Sequence, residues 1–306
     1  MRPDVWLPER TPGAERERLA ALAAVHAFPP GGALGGADLH ADLLVAAYDT
    51  ARALEVASRL EGLRYIQATS AGVDGFIGRV PPGVTLCDAA GVHDVAVAEW
   101  VVMAILASGR HLPEHLDLQR RGTWGTERLG GEDLDGATVV LLGAGSIGRA
   151  LEARLAGFGA RIVRVARRPR DGVRPLADLP AILPTVDIVV CLLPLTTETR
   201  SVLGAAVFAA MRPGALFVNA SRGGVVDTDA LVEAVLNGRI RAALDVTDPE
   251  PLPAGHPLWS APGVLITPHV GGDVSREDDR AWQLVFEQVG RLARGETLIN
   301  VVADGY

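Results

Sequence analysis

An apolar run at residues 137–142 ends in three glycines spaced G-x-G-x-x-G: Gly143, Gly145 and Gly148. Past the first of them, Ile147, Leu151, Leu155 and Phe158 recur at helical spacing. Few backbones satisfy that order. A strand must meet a tight turn, and the turn must open a helix. Gly143 suits the turn, Gly145 lets backbone approach a pyrophosphate, and Gly148 lets helix pack on strand. Ser146 and Ile147 then fall at the helix start, where unpaired N–H groups favour phosphate. In a chain with 35 glycines the spacing alone is weak, but the flanking strand and helix make it a dinucleotide-binding turn. The plain alternative is an ordinary βα connection.

The 306 residues suffice for two domains, and a hydrophobic content of 48 % allows a large core without staples. A formal charge of −8 argues against nucleic acid as a partner. Two cysteines, Cys87 and Cys191, imply no disulfide framework, and Cys191 sits in an apolar run as a buried filler. Neither a signal-like start nor an apolar stretch of membrane length is present, so a soluble cytoplasmic protein is the default expectation. All 29 basic residues are Arg. Lysine Schiff bases, a lysine base and a P-loop lysine are thereby excluded within the chain. A fixed side-chain cation must be Arg or protonated His, and Arg offers a planar fork that matches a carboxylate.

In chain order, 3–8 reads as a strand, 14–26 as a helix with Leu19, Leu22 and Ala23 inward, and 28–32 as a loop. A strand at 41–48, a helix at 52–63 and strands at 64–69 and 84–87 continue a βα alternation, implying a small open parallel sheet that ends near residue 92. Asp94 is placed to cap a helix over 95–108. That helix is apolar on nearly all sides, so it is expected to be buried between domains or against another subunit. Glu99 within it calls for a partner, because a buried unpaired carboxylate is costly. Residues 110–134 are polar around Trp124 and are expected to wrap a surface. Beyond them come strands at 138–142, 161–166, 186–193, 216–219, 242–246 and 263–267, with helices to 158, closing at 211 and over 228–237. Their continuous apolar runs suit a parallel sheet covered on both faces. An amphipathic helix at 276–293, with Trp282, Val285, Phe286 and Val289 on one side, is expected to return to the first domain.

An acid some twenty residues past the glycines would take the ribose hydroxyls of NAD. The strand at 161–165 leads instead into Ala166-Arg167-Arg168-Pro169-Arg170. A small residue followed by Arg167 and Arg168 leaves room and charge for a 2′-phosphate, so NADP is favoured, with NAD as the alternative; Asp171 lies late and is expected to face solvent. The bland alternative is a solvated arginine cluster. Three polar features sit at later strand ends: Arg222 within 219–227, Glu250 within 245–251, and His269 within 267–272. An Arg, an acid and a His beside a nicotinamide suggest hydride transfer to a carbonyl. His269 would move the proton, Glu250 would hold its other ring nitrogen, and Arg222 would clamp a substrate carboxylate. Taken singly, the three admit a turn residue, a structural ion pair and a surface acid.

The ordered set runs from Val97-Ala98-Glu99-Trp100 and the glycine turn through Leu193-Pro194-Leu195-Thr196 with Thr199. It continues with Asn219-Ala220-Ser221-Arg222-Gly223, Leu244-Asp245-Val246, Glu250-Pro251-Leu252-Pro253, His256-Pro257-Leu258 and Thr267-Pro268-His269. This set resembles the D-isomer-specific 2-hydroxyacid dehydrogenase family; Ser70-Ala71-Gly72-Val73-Asp74 matches more loosely. The resemblance implies an α/β fold: a Rossmann-type dinucleotide-binding domain at 93–272, and a smaller flavodoxin-like substrate domain at 1–92 completed by a helix within 273–306. It implies a reductase working at the cleft between its domains, with Arg222, Glu250 and His269 catalytic. The N–H groups of Ala71 and Gly72 would hold the substrate carboxylate. Pro194 and Thr199 would belong to the cofactor site, and Asp245 would lie near the nicotinamide end. No metal, nucleic acid or membrane partner is implied, and a homodimer through the nucleotide domain is expected. Ala166 in place of the ribose-binding acid resembles the family's NADP-using glyoxylate and hydroxypyruvate reductases, which points to a small 2-keto acid. Thr247 stands where an aromatic often follows the Asp-Val pair. The competing class is an NADP(H)-sensing binding protein with the same fold and weak turnover.

Overall fold

A computed structural model describes residues 2–34, 39–47, 49–125, 129–167 and 170–302. Its contacts divide the chain into two units, Met1–His93 with Val274–Tyr306, and Asp94–Asp273.

The first unit begins with β1 (Asp4–Pro8), α1 (Gly13–Ala20), β2 (Ala24–Phe28), β3 (Leu43–Ala46), α2 (Thr50–Ala57), β4 (Tyr65–Ala68) and β5 (Thr85–Cys87). All five strands are parallel, in the order β2-β1-β3-β4-β5. That is the flavodoxin-like order of doubly wound sheets. The helix expected over 14–26 stops at Ala20, and after a short turn Ala24–Phe28 forms β2. The physical reason is pairing: Ala24 to Phe28 lie in register with Asp4 to Pro8, and a sheet partner outweighs weak helical periodicity. Asp49 caps α2 by accepting from Arg52 N at 2.9 Å. The buried Arg52 guanidinium donates to Pro29 O at 3.0 Å and Gly32 O at 2.9 Å, pinning the loop before β3.

The second unit contains α3 (Asp94–Gly109), α4 (Leu112–Arg120), β6 (Thr138–Leu142), α5 (Ser146–Leu155), β7 (Arg161–Ala166), β8 (Val173–Pro175), α6 (Leu179–Ile182) and β9 (Ile188–Cys191). It continues with α7 (Ala205–Ala210), β10 (Leu216–Asn219), α8 (Thr228–Leu236), β11 (Arg241–Leu244) and β12 (Val264–Ile266). The sheet order is β12-β11-β10-β9-β6-β7-β8, all parallel, so the winding reverses between β6 and β9. Both faces are covered. Phe208, Met211, Leu231 and Val235 pack on one, and Ala98, Val101, Ile105, Leu151 and Leu155 pack on the other.

The apolar α3 is therefore buried against α5 and strands of its own unit. Its Glu99 is exposed and pairs with Arg154 at 3.1 Å. Asp94 is the first residue of the helix rather than its cap. The polar stretch after α3 holds α4, which has no buried residue to mark it in sequence. Among the described residues no single helix is long and apolar enough to cross a membrane; α3 and α4 qualify only as a pair bent by 67°.

The last helix, α9 (Glu277–Ala293), belongs to the first unit. Trp282, Val285 and Val289 pack with Val5, Leu7 and Leu43, each such burial stabilising by roughly 1.5–3 kcal/mol. At its centre Gln288, fully buried, donates to Gln67 Oε1 and to Ile299 O, both at 2.7 Å, and accepts from Ile299 N at 3.0 Å. Gln288→Leu leaves these groups unpaired in an apolar surround and is expected to lower the unfolding free energy by about 2–4 kcal/mol. Urea denaturation reads this, and an unchanged midpoint would remove the glutamine pair from the unit's stability.

Candidate active site

Among the described residues, each site residue predicted in the second unit lies at or beyond the carboxyl end of a strand in one parallel sheet, where open α/β sheets bind ligands. At the end of β6, Gly143 adopts φ 113°. A Cβ there would sit 2.6 Å from Leu192 O, and one on Gly148 would sit 2.7 Å from Gly143 O. At Gly145 nothing lies within 4 Å of the Cβ position. Two glycines thus close the turn onto the sheet, and the third leaves open space at the N-terminus of α5, which Ser146 and Ile147 begin. This cradle fits a dinucleotide pyrophosphate.

Arg167 follows β7 and bonds Glu198 through Nη1 at 2.7 Å. Arg168 lies outside the described residues. Arg170, which sequence reasoning passed over, donates from Nη2 to Ala144 O at 2.6 Å and lies against the glycine turn. Its only sequence signal was a third arginine in the 167–170 run.

Two residues expected in the cofactor site also build loops. Thr199 is 4 % exposed. Its hydroxyl donates to Pro194 O at 2.6 Å and accepts from Thr196 N at 2.8 Å, so it shapes the loop after β9. Asp245 is 5 % exposed. Its Oδ1 accepts from Thr267 Oγ1 at 2.6 Å and Val270 N at 2.9 Å, and its Oδ2 accepts from Gly271 N at 2.7 Å. That carboxylate holds the turn carrying His269. The His269 backbone, at φ 57°, donates to Asp245 O at 2.7 Å. Gly271 is required because a Cβ would come 2.7 Å from Asp245 Oδ2.

The turn aims His269 Nδ1 at Glu250 Oε1, 2.6 Å away. An ionised carboxylate only accepts, so Nδ1 carries the proton and Nε2 is the nitrogen presented outward. Both side chains are about two-fifths exposed, at 43 % and 42 %. Arg222 follows β10 in extended backbone. Buried Asn219 holds its loop, donating to Arg222 O at 3.1 Å and accepting from Ser221 N at 3.1 Å. Gly223 fits because a Cβ would fall 1.9 Å from Thr247 O in the loop after β11. The half-buried Arg222 donates from Nη1 to Ser221 O at 2.8 Å. The structure thus brings Glu250 and His269 into contact and sets Arg222 beyond the end of the neighbouring strand β10. Burial pushes the Cys191 thiol up, and Cys191 fills space beside Ser221 Oγ at 3.3 Å. In the first unit, Ala71 and Gly72 are half-buried in the turn after β4, where Ser70 Oγ donates to Gly72 O at 2.9 Å.

A doubly wound sheet with a glycine cradle beside its switch point defines a Rossmann-type dinucleotide-binding unit. A model of the D-isomer specific 2-hydroxyacid dehydrogenase NAD binding domain matches residues 102–271, more than half of the chain. The chain belongs to that family. It is 33 % identical over 271 residues to D-3-phosphoglycerate dehydrogenase of Methanocaldococcus jannaschii, covering 86 % of this chain and 52 % of that protein. It therefore spans about half the length of the phosphoglycerate dehydrogenases it matches. To glyoxylate/hydroxypyruvate reductase B of Citrobacter koseri it is 37 % identical over 226 residues, covering 70 % and 69 %. Among solved structures it resembles a D-isomer specific 2-hydroxyacid dehydrogenase of Xanthobacter autotrophicus in complex with NADPH and MES, with a TM-score of 0.85, 29 % identity and coverage of 99 % and 98 %. An NADPH-dependent glyoxylate/hydroxypyruvate reductase of Sinorhizobium meliloti in complex with NADP and sulfate gives a TM-score of 0.82 at 28 % identity, covering 98 % of each chain.

Asp245→Asn would turn an amide NH₂ toward one of the N–H groups of Val270 and Gly271. It is expected to cost about 1–3 kcal/mol of stability, measurable by thermal or urea unfolding. Wild-type stability would show that the carboxylate does not hold this turn.

Proposed function

We propose that this protein is an NADPH-dependent reductase of a small 2-keto acid, of the glyoxylate or hydroxypyruvate type, yielding the D-2-hydroxy acid. The observation that carries the reading is the 2.6 Å contact between His269 Nδ1 and Glu250 on the sheet edge that also bears the glycine cradle. Gly143, Gly145, Ser146 and Ile147 would hold the pyrophosphate, with Arg167 and Arg168 on the 2′-phosphate. When bound, NADPH supplies the hydride that the carbonyl carbon receives.

The residues of the chain do the rest. Glu250 fixes the imidazole ring through Nδ1, so that Nε2 is the nitrogen that gives a proton to the carbonyl oxygen as negative charge grows there. Arg222 would grip the carboxylate and polarise the keto oxygen with its planar fork. In the first unit, Ala71 and Gly72 are candidate backbone N–H donors to a substrate carboxylate. Asp245 keeps the His269 turn in place, and Thr199 shapes the loop that begins at Pro194. A homodimer belongs to the same reading. It is supported by apolar side chains left exposed along α3, α4 and the segment after them, among them Met103, Leu112, Leu116 and Trp124, the last 94 % exposed.

The test is a steady-state panel of glyoxylate, hydroxypyruvate, pyruvate and bulkier 2-keto acids, with D-3-phosphoglycerate in the reverse direction, each with both nicotinamide cofactors. Turnover is expected with small 2-keto acids and NADPH. Tight NADPH binding without turnover on any of them would make the protein a cofactor sensor. His269→Ala is expected to lower kcat by roughly 10²–10⁴-fold; near-normal turnover would remove it as proton donor. Replacing Arg167 and Arg168 with neutral residues is expected to weaken NADPH far more than NADH in fluorescence titrations, and equal weakening would count against 2′-phosphate recognition.

A further inference from the structure

Arg167 follows β7 and Glu198 follows β9, and these two strands flank β6 in the sheet. Their ion pair therefore passes over the end of β6, where the glycine turn begins. Arg167 Nη1 stands 2.7 Å from Glu198 Oε2. The loop that presents Glu198 is well braced. Thr199 Oγ1 bonds Pro194 O and Thr196 N, and Thr199 N donates to Thr196 Oγ1 at 3.2 Å. Glu198 is thus held out by a closed network on both sides of it in sequence. The pair itself is open to solvent, with side chains 38 % and 65 % exposed, so water weakens it and a stronger anion can replace the carboxylate.

We propose that Glu198 is a built-in competitor for the 2′-phosphate of the cofactor, occupying the Arg167 guanidinium in the free protein and releasing it when that phosphate enters. The proposal rests on the NADPH reading above. A phosphate monoester carries more charge than a carboxylate and presents three acceptor oxygens to the same fork, so it displaces Glu198 from Arg167. A ribose bearing only hydroxyls offers no anion in exchange, and the Arg167–Glu198 pair stays closed. Glu198 therefore lowers affinity for ligands that carry the 2′-phosphate and is nearly silent toward those that lack it.

Calorimetric titration with 2′,5′-ADP and 5′-ADP tests this without turnover. Glu198→Gln, an exposed and nearly isosteric change, is expected to tighten 2′,5′-ADP by about two- to fivefold while leaving 5′-ADP nearly unchanged. The gain should vanish in an Arg167→Ala background, as a double-mutant cycle requires. Unchanged or weaker 2′,5′-ADP binding, equal tightening of both ligands, or persistence of the gain without Arg167 would each overturn the proposal. A wild-type protein that binds the two ligands equally defeats the NADPH reading, and the competitor with it. One that discriminates between them, with Glu198→Gln silent, defeats only the competitor.

Discussion

At the carboxyl edge of the seven-stranded sheet, carbonyl and carboxylate oxygens pack so closely on the main chain that four positions have no room for a Cβ. Leu192 O closes on Gly143, Gly143 O on Gly148, Thr247 O on Gly223, and the Asp245 carboxylate on Gly271. Each approach joins a strand end to a neighbouring loop or to the helix that follows, and each sits beside a residue of the candidate site. Gly223 is next to Arg222; Gly271 is two residues past His269. A larger residue at any of the four would push apart the loops whose spacing sets the chemistry. The glycines here act through absent side chains.

Charge in this protein is carried by one kind of long cation, and the fold uses its geometry. Arg52 reaches two carbonyls and Glu55 at once. Arg239 bridges Ala209 O and Met211 O. Arg241 joins Gly214 O, Ser108 O and Glu132. A lysine ammonium lacks the planar fork for such contacts. Arg222 and Arg167 bring that fork to the candidate site. By contrast, His269 and Glu250 depend on one short contact and on a buried carboxylate behind it.

How much was legible follows from the length scale of each signal. The strands of the second unit were readable because a strand covered on both faces is a continuous apolar run, as in the Ile188–Cys191 strand. The glycine turn was readable because its three glycines fall within six residues, between an apolar run and a helical pattern. The Ala24–Phe28 strand was misread because only its pairing with Asp4–Pro8, some twenty residues away, decides against a helix. The Leu112–Arg120 helix was missed because it is short and mostly polar and none of its residues is buried. Arg222, Glu250 and His269 were nameable as residue types at strand ends. Thr199 and Asp245 are nameable for the cofactor site, but no local pattern shows that the Thr199 hydroxyl closes its own loop or that the Asp245 carboxylate holds the turn of His269.

By itself the sequence determined what local chemistry can determine. It set the α/β alternation, the strand–turn–helix at Gly143–Gly148, the choice of Arg as the fixed cation and the kinds of polar residue at strand ends. These follow from periodicity, missing side chains and charge type, all properties of short segments. The tertiary structure alone decided strand order, and with it the switch point beside the cradle. It also decided that Asp245 would hold the His269 turn, that Gln67 would meet Gln288 in the first unit, and that Arg167 would face Glu198. Each of those contacts joins residues more than twenty positions apart. Their formation depends on how separate elements pack, which no local pattern encodes.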